Sequence, residues 1–184
     1  MRAVDAHSNP MLGWIVRIAL ETGMRSSEIT TLRRRSQADL NRRIVRLLET
    51  KNTLPRTVPL TSTAVDIFRQ TLANPVRPID TDLIFCGEPG KDGQRRPYNF
   101  NKVWLNTKES IGLKDLRFHD LRHEAVSRFV EGGLSDQQVA AISGHKSMQM
   151  LRRYTHLRAE DLVDELDAIS TRRAGKQQDA KRPS

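Results

Sequence analysis

The sequence predicts a mixed α+β domain, mostly helical, with a small antiparallel β-sheet. Two observations carry that class. Apolar residues recur at helical spacing through most of the 184 positions. Residues 42–60 break the pattern, because apolar runs there flank a polar, proline-containing turn, as in a β-hairpin. The length suits one domain of ordinary size with a single core.

The elements follow in order. Leu12, Ile15, Val16, Ala19 and Leu20 keep the i, i+3, i+4, i+7 pattern of an amphipathic helix, which Thr22-Gly23-Met24 interrupts. A second helix follows Arg25, with Ile29 and Leu32 on its buried side. Glu28, three residues beyond Arg25, is within reach of its guanidinium. Ile44, Val45, Leu47 and Leu48 face Val58 and Leu60 across the hairpin, with Lys51 at or near its tip and Pro59 confining the second strand to an edge. Thr61 reads as the N-cap of a helix carrying Ala64, Val65, Phe68 and Leu72. Residues 74–97 are rich in proline and glycine, and Leu83-Ile84-Phe85 is expected to add a strand there. Phe100, Val103 and Trp104 open another helix. Leu162, Val163, Leu166 and Ile169 form the apolar face of a last one, without an obvious partner in the chain. From Thr171 the sequence is polar, basic and aperiodic, and reads as a disordered tail.

Charge narrows the partners. Lys and Arg number 31 against 22 Asp and Glu, a net charge of +9, and the arginines cluster at 33–35, 42–43, 95–96, 152–153 and 172–173. That excess favours a polyanion. Aromatic residues make up only 5%, which argues against a single-strand binder built on base stacking. No apolar run approaches membrane-spanning length, so no membrane association is expected. Cys86 is the single cysteine, which forbids an intrachain disulfide and suits a reducing, cytoplasmic setting.

The chemistry is expected to converge on residues 117–156. His119 and Arg122 are neighbours on a helical turn. Ser135-Asp136-Gln137-Gln138 reads as a capping box, Gly144 ends the helix it starts, and Ser147 is placed to cap a short helix carrying Tyr154. A tyrosine hydroxyl is a poor nucleophile near neutrality unless a base takes its proton. Arginine forks two N–H groups onto a phosphate, and histidine exchanges protons at physiological pH. Together they suggest attack on a phosphodiester.

These residues also carry a family resemblance. Thr22-Gly23-Met24-Arg25-Ser26-Ser27-Glu28-Ile29, Thr50-Lys51-Asn52, His119-Asp120-Leu121-Arg122-His123, Gly144-His145-Lys146-Ser147 and Tyr154-Thr155-His156 occur in the order of the tyrosine recombinase (phage integrase) catalytic domain. The chain resembles that family over roughly residues 10–170. The resemblance implies the tyrosine-recombinase catalytic fold and a site-specific recombinase that cleaves and rejoins DNA through a 3′-phosphotyrosyl intermediate, without metal, cofactor or ATP. Arg25 and Arg122 would grip the scissile phosphate, with Glu28 orienting Arg25. His119 would be the acid/base partner, His145 a donor to a phosphate oxygen, Lys51 the acid for the departing 5′ oxygen, and Tyr154 the nucleophile. It also implies double-stranded DNA as partner and self-association on DNA through the C-terminal helix. Residues 1–170 would be the catalytic domain and 171–184 a tail, with the family's N-terminal core-binding domain absent from this chain.

Three other readings use the same residues. His119 and His123 parse as a HExxH-like zinc pair with His145 as third ligand, although Arg122 would set a fixed cation beside the metal. A type IB topoisomerase uses similar tyrosine chemistry, but the Gly144-His145-Lys146-Ser147 segment favours recombinases. A DNA-binding module would bind without cleaving.

Overall fold

The computed structural model describes residues 2–5, 7, 9–48, 54–145, 149, 151, 163, 166 and 167. The chain divides into two units, residues 1–151 and 152–184. In the second, Val163, Leu166 and Asp167 are the described residues; they are helical and exposed.

The first unit is α+β and mainly helical. A short helix α1 (Arg2–Asp5) precedes α2 (Met11–Thr22), the central helix, whose Leu12, Ile15, Ile18 and Ala19 are fully buried. Gly23 ends α2 in the left-handed region (φ 62°), its N–H donating to Ala19 O, as expected for an αL helix stop. Helix α3 (Ser26–Thr30) follows, then α4 (Arg34–Gln37), a short turn that helical periodicity did not announce.

The hairpin forms as β2 (Ile44–Leu47) and β3 (Arg56–Pro59), paired antiparallel with Val45 opposite Val58, both fully buried. A two-residue strand β1 (Ala38–Asp39) adds to β2, so the sheet order is β1-β2-β3 and Pro59 lies on an edge. The expected hairpin tip, including Lys51, lies outside the described residues.

Thr61 caps α5 (Ser62–Ala73), its hydroxyl accepting from Ala64 N at 3.0 Å. The expected strand at Leu83-Ile84-Phe85 is displaced. Leu83 makes an isolated bridge to Arg33, Ile84 and Phe85 are core residues, and pairing starts one residue later between β4 (Cys86–Pro89) and β5 (Arg95–Pro97). An apolar run buried on all sides carries no period that fixes where its ladder begins. Helix α6 (Asn101–Ser110) leads to α7 (Asp120–Glu131) and α8 (Asp136–Ser143). Ser135 and Gln138 make the capping box, and Gly144 ends α8 at φ 74°.

Residues of α2, α3, β2, β3, α5 and the 84–85 run share one core, and α7 packs on α2. Phe68 is fully buried with its ring tilted against Phe85 at 6.3 Å. Removing such a ring loses transfer free energy and leaves a cavity. Phe68→Ala should lower stability by about 3–5 kcal/mol in urea denaturation.

Candidate active site

Arg25 follows the α2–α3 break in extended backbone (φ −73°, ψ 153°). Glu28, one turn into α3, reaches back to it: Arg25 N donates to Oε2 at 2.8 Å and Arg25 Nη1 to Oε1 at 2.9 Å. The Arg25 side chain remains 32% exposed, against 8% for Glu28. The expected Arg25–Glu28 hydrogen bond is therefore present, and the guanidinium keeps an accessible side.

Arg122 is 2% exposed, and its Nη1 donates to Gly23 O at 2.6 Å. The left-handed turn that stops α2 thus supplies a carbonyl to Arg122 two residues before Arg25. Both guanidiniums are tied to the same break. A Cβ on Gly23 would lie 3.4 Å from Phe129 Cε2 and 3.7 Å from Ala125 Cβ, so α7 packs close over this turn.

His119 is the N-cap residue of α7, exposed, with its ring edge-on to His123 at 4.9 Å. Desolvation first, then the charges of His123, Arg122 and Arg25, push its pKa below the ordinary 6.5, while Asp120 opposes them. At neutral pH it is an uncharged imidazole able to accept a proton. Among the described residues, no group of three His, Cys, Asp or Glu side chains is arranged to hold a metal.

His145 follows Gly144 and is half-buried, with Nδ1 2.6 Å from Ser143 Oγ. That hydroxyl also lies 2.6 Å from Val139 O. A carbonyl only accepts, so the single hydroxyl proton goes to Val139 and Nδ1–H donates to Oγ. Lys51 and Tyr154 lie outside the described residues. Of the described members of the expected set, Arg25 is bonded to Glu28 and Arg122 to the turn before Arg25, whereas His145 is bonded to Ser143. His119 is within electrostatic range of both arginines.

One residue of this cluster had no motif to announce it. Arg56 of β3 donates from Nη1 and Nη2 to the two Glu28 oxygens, each at 2.8 Å, and from Nε to Ile142 O at 3.0 Å. Its signal was alternation: Arg56 is two residues from buried Val58 and shares its inward face. Burial raises the Glu28 pKa, but the Arg56 hydrogen bonds, the Arg25 backbone N–H and the two arginine charges outweigh it, and the net displacement is below 4.5.

The phage integrase family profile matches residues 3–161. The chain belongs to the phage integrase family. A shufflon-specific DNA recombinase of Escherichia coli is 42% identical over 161 residues, which cover 87% of this chain and 38% of that protein. Among solved structures, the catalytic domain of bacteriophage HP1 integrase is 26% identical, with a TM-score of 0.65 over 90% of this chain and 86% of that one. The fold also matches the Tn1549 transposon integrase solved with circular intermediate DNA, at 16% identity and a TM-score of 0.69, covering 90% of this chain and 62% of that one. The chain spans about half the length, or less, of the curated relatives it matches.

Two predictions follow from this integrase-family geometry. A Cβ at Gly144 would lie 2.9 Å from the Arg56 guanidinium, which three hydrogen bonds hold still, and φ there is 74°. Gly112 has a similar φ of 75° with nothing near its Cβ. Gly112→Ala should cost about 1–2 kcal/mol from backbone strain, and Gly144→Ala distinctly more in the same melts. The second concerns acid. The folded Glu28 pKa lies below its unfolded value, so its contribution to stability is complete above the unfolded value and is lost as pH falls through the folded one. A Glu28→Gln variant should therefore show a shallower loss of melting temperature with acid, below about pH 4.5.

Proposed function

We propose that residues 1–170 form the catalytic domain of a site-specific DNA recombinase that cleaves and rejoins strands through Tyr154. The observation that carries this reading is the pair of guanidiniums on one turn. Arg122 is fixed by Gly23 O, and Arg25 is held by Glu28 with one side open. Such a pair suits a phosphodiester, whose transition state gathers charge on its nonbridging oxygens.

In the proposed step Tyr154 Oη attacks the scissile phosphorus. The Oη–P bond forms, the P–O5′ bond breaks, and a 3′-phosphotyrosyl link and a 5′ hydroxyl remain. His119, neutral at the start, takes the tyrosine proton. Lys51 gives a proton to the departing 5′ oxygen. His145 donates a hydrogen bond to a nonbridging oxygen. Rejoining runs the same step backwards with a second 5′ hydroxyl. The covalent link retains the phosphodiester bond energy, so no ATP is needed.

The partner is double-stranded DNA, within the cytoplasm of a bacterial or phage-infected cell. The net charge of +9 and the DNA complex solved for the Tn1549 integrase support it. Self-association through the C-terminal helix is part of the same reading, supported by the exposure of Val163 (53%) and Leu166 (64%).

The test is covalent trapping. The natural protein that carries this chain is mixed in EDTA with labelled duplex bearing its own recombination site, nicked near the cleavage point. An SDS-resistant adduct is expected, absent in Tyr154→Phe and reduced about 10²–10³-fold in initial rate for Arg122→Ala. A wild-type protein that forms no adduct would overturn the reading.

A further inference from the structure

Arg56 stands behind the residues that face DNA. Its side chain is 9% exposed, and its three guanidinium nitrogens all point into the protein, two to Glu28 and one to Ile142 O. A fork committed in this way is not presented to a phosphate. Arg25 shares the same carboxylate and is 32% exposed, so it is the outward-facing member of the cluster.

The charge count decides what Arg56 does. Arg25 and Glu28 alone would be a neutral ion pair, a weak attractor for a phosphodiester anion. With Arg56 the cluster carries a net positive charge, and the exposed share of it lies on Arg25. The Glu28 carboxylate is saturated by Arg56 Nη1 and Nη2 and by Arg25 N and Nη1. In a partly buried place this matters more than in water, because charges there are less screened.

Position adds a second effect. Ile142 O belongs to the last turn of α8, two residues before Gly144 and three before His145. Gly144 lies so close over the guanidinium that no side chain fits between them. One arginine on β3 therefore joins the turn that carries Arg25 to the turn that carries His145.

We propose that Arg56 is a positioning residue of strand cleavage: it neutralises Glu28 and clamps it to the Ile142–Gly144 turn, so that Arg25 keeps an uncancelled positive fork and His145 stays in register with it. This rests on the recombinase reading above. It separates Arg56 from the phosphate-contacting set, and makes Glu28 and Arg56 a coupled pair.

The experiment measures single-turnover cleavage at saturating DNA, DNA affinity and melting temperature for wild type, Arg56→Gln, Arg56→Lys, Glu28→Gln and the double variant Glu28→Gln/Arg56→Gln. Arg56→Gln should slow cleavage about tenfold or more while DNA affinity changes little. Arg56→Lys keeps the charge without the fork and should fall between. Per folded molecule, the double variant should cleave faster than Arg56→Gln, since no carboxylate remains to cancel Arg25; a purely structural role would restore the melting temperature without raising that rate. It removes both members of the pair, so it and Arg56→Lys decide the matter even if Arg56→Gln does not fold. Wild-type rates in Arg56→Gln, or a folded double variant no faster than the folded single one, would overturn the proposal. In the absence of that single variant, wild-type rates in both Arg56→Lys and the double variant would do the same. Failure of the wild type to form a Tyr154 adduct is a separate result, and removes the recombinase reading and this proposal together.

Discussion

One carboxylate has to hold two guanidiniums at the same point, and much of the site depends on it. Two like charges 4 Å apart repel by about 4 kcal/mol at the effective dielectric of a protein surface. Glu28 offsets that by accepting four N–H groups from Arg25 and Arg56 at 2.8–2.9 Å. It does so at 8% exposure, where its own desolvation is costly. The arrangement is tolerable because every oxygen lone pair has a donor and the partners are fixed by different elements. Glu28 is on α3, Arg56 on β3, and the core that locks α2 to β2, β3 and α5 sets their separation.

The same economy governs the backbone. Gly23 adopts the left-handed conformation that stops α2, and in doing so turns a carbonyl toward Arg122 and starts the extended link to Arg25. Gly144 stops α8 in the same conformation and leaves room for the Arg56 guanidinium. Both are places where a helix end would otherwise leave polar groups without partners. Each is instead part of the path by which one cationic side chain is held relative to another. Arg25 and His145 thus lie at the ends of packed helices, which fixes them more tightly than long loops would.

Much of this was legible in the sequence because it is local. The Arg25–Glu28 contact is an i, i+3 relation, and the Ser135–Gln138 box and the Gly144 stop are read within four residues. The helical stretches at 11–22 and 62–73 followed from apolar spacing alone. The family motifs added Lys51 and Tyr154, which lie outside the described residues. What escaped was non-local. Arg56 is 28 residues from Glu28 and 86 from Ile142, and no spacing rule connects them. Its inward register on β3, two residues from buried Val58, was the available hint. The 83–85 run misled for a related reason: its burial was readable, its ladder partner was not. The basic clusters were also less uniform than composition implied, since Arg95 is paired with Asp80 and Arg96 with Asp92.

That last difference separates two uses of arginine in one chain. Arg96 and Asp92 are 59% and 46% exposed, and such surface pairs are worth about 0–1 kcal/mol. A phosphate could displace such a pair at little cost. Arg56 and Glu28 are 9% and 8% exposed, and separating them leaves a charge without a partner in a dry place, a loss of about 3–5 kcal/mol. A phosphate does not compete for that pair. On the proposed function, attraction to DNA would be spread over replaceable surface cations, whereas the orientation of the reacting phosphate would depend on a few that cannot be exchanged. On the proposed function the surplus of arginine attracts the polyanion, and the Glu28 carboxylate determines where that charge is used.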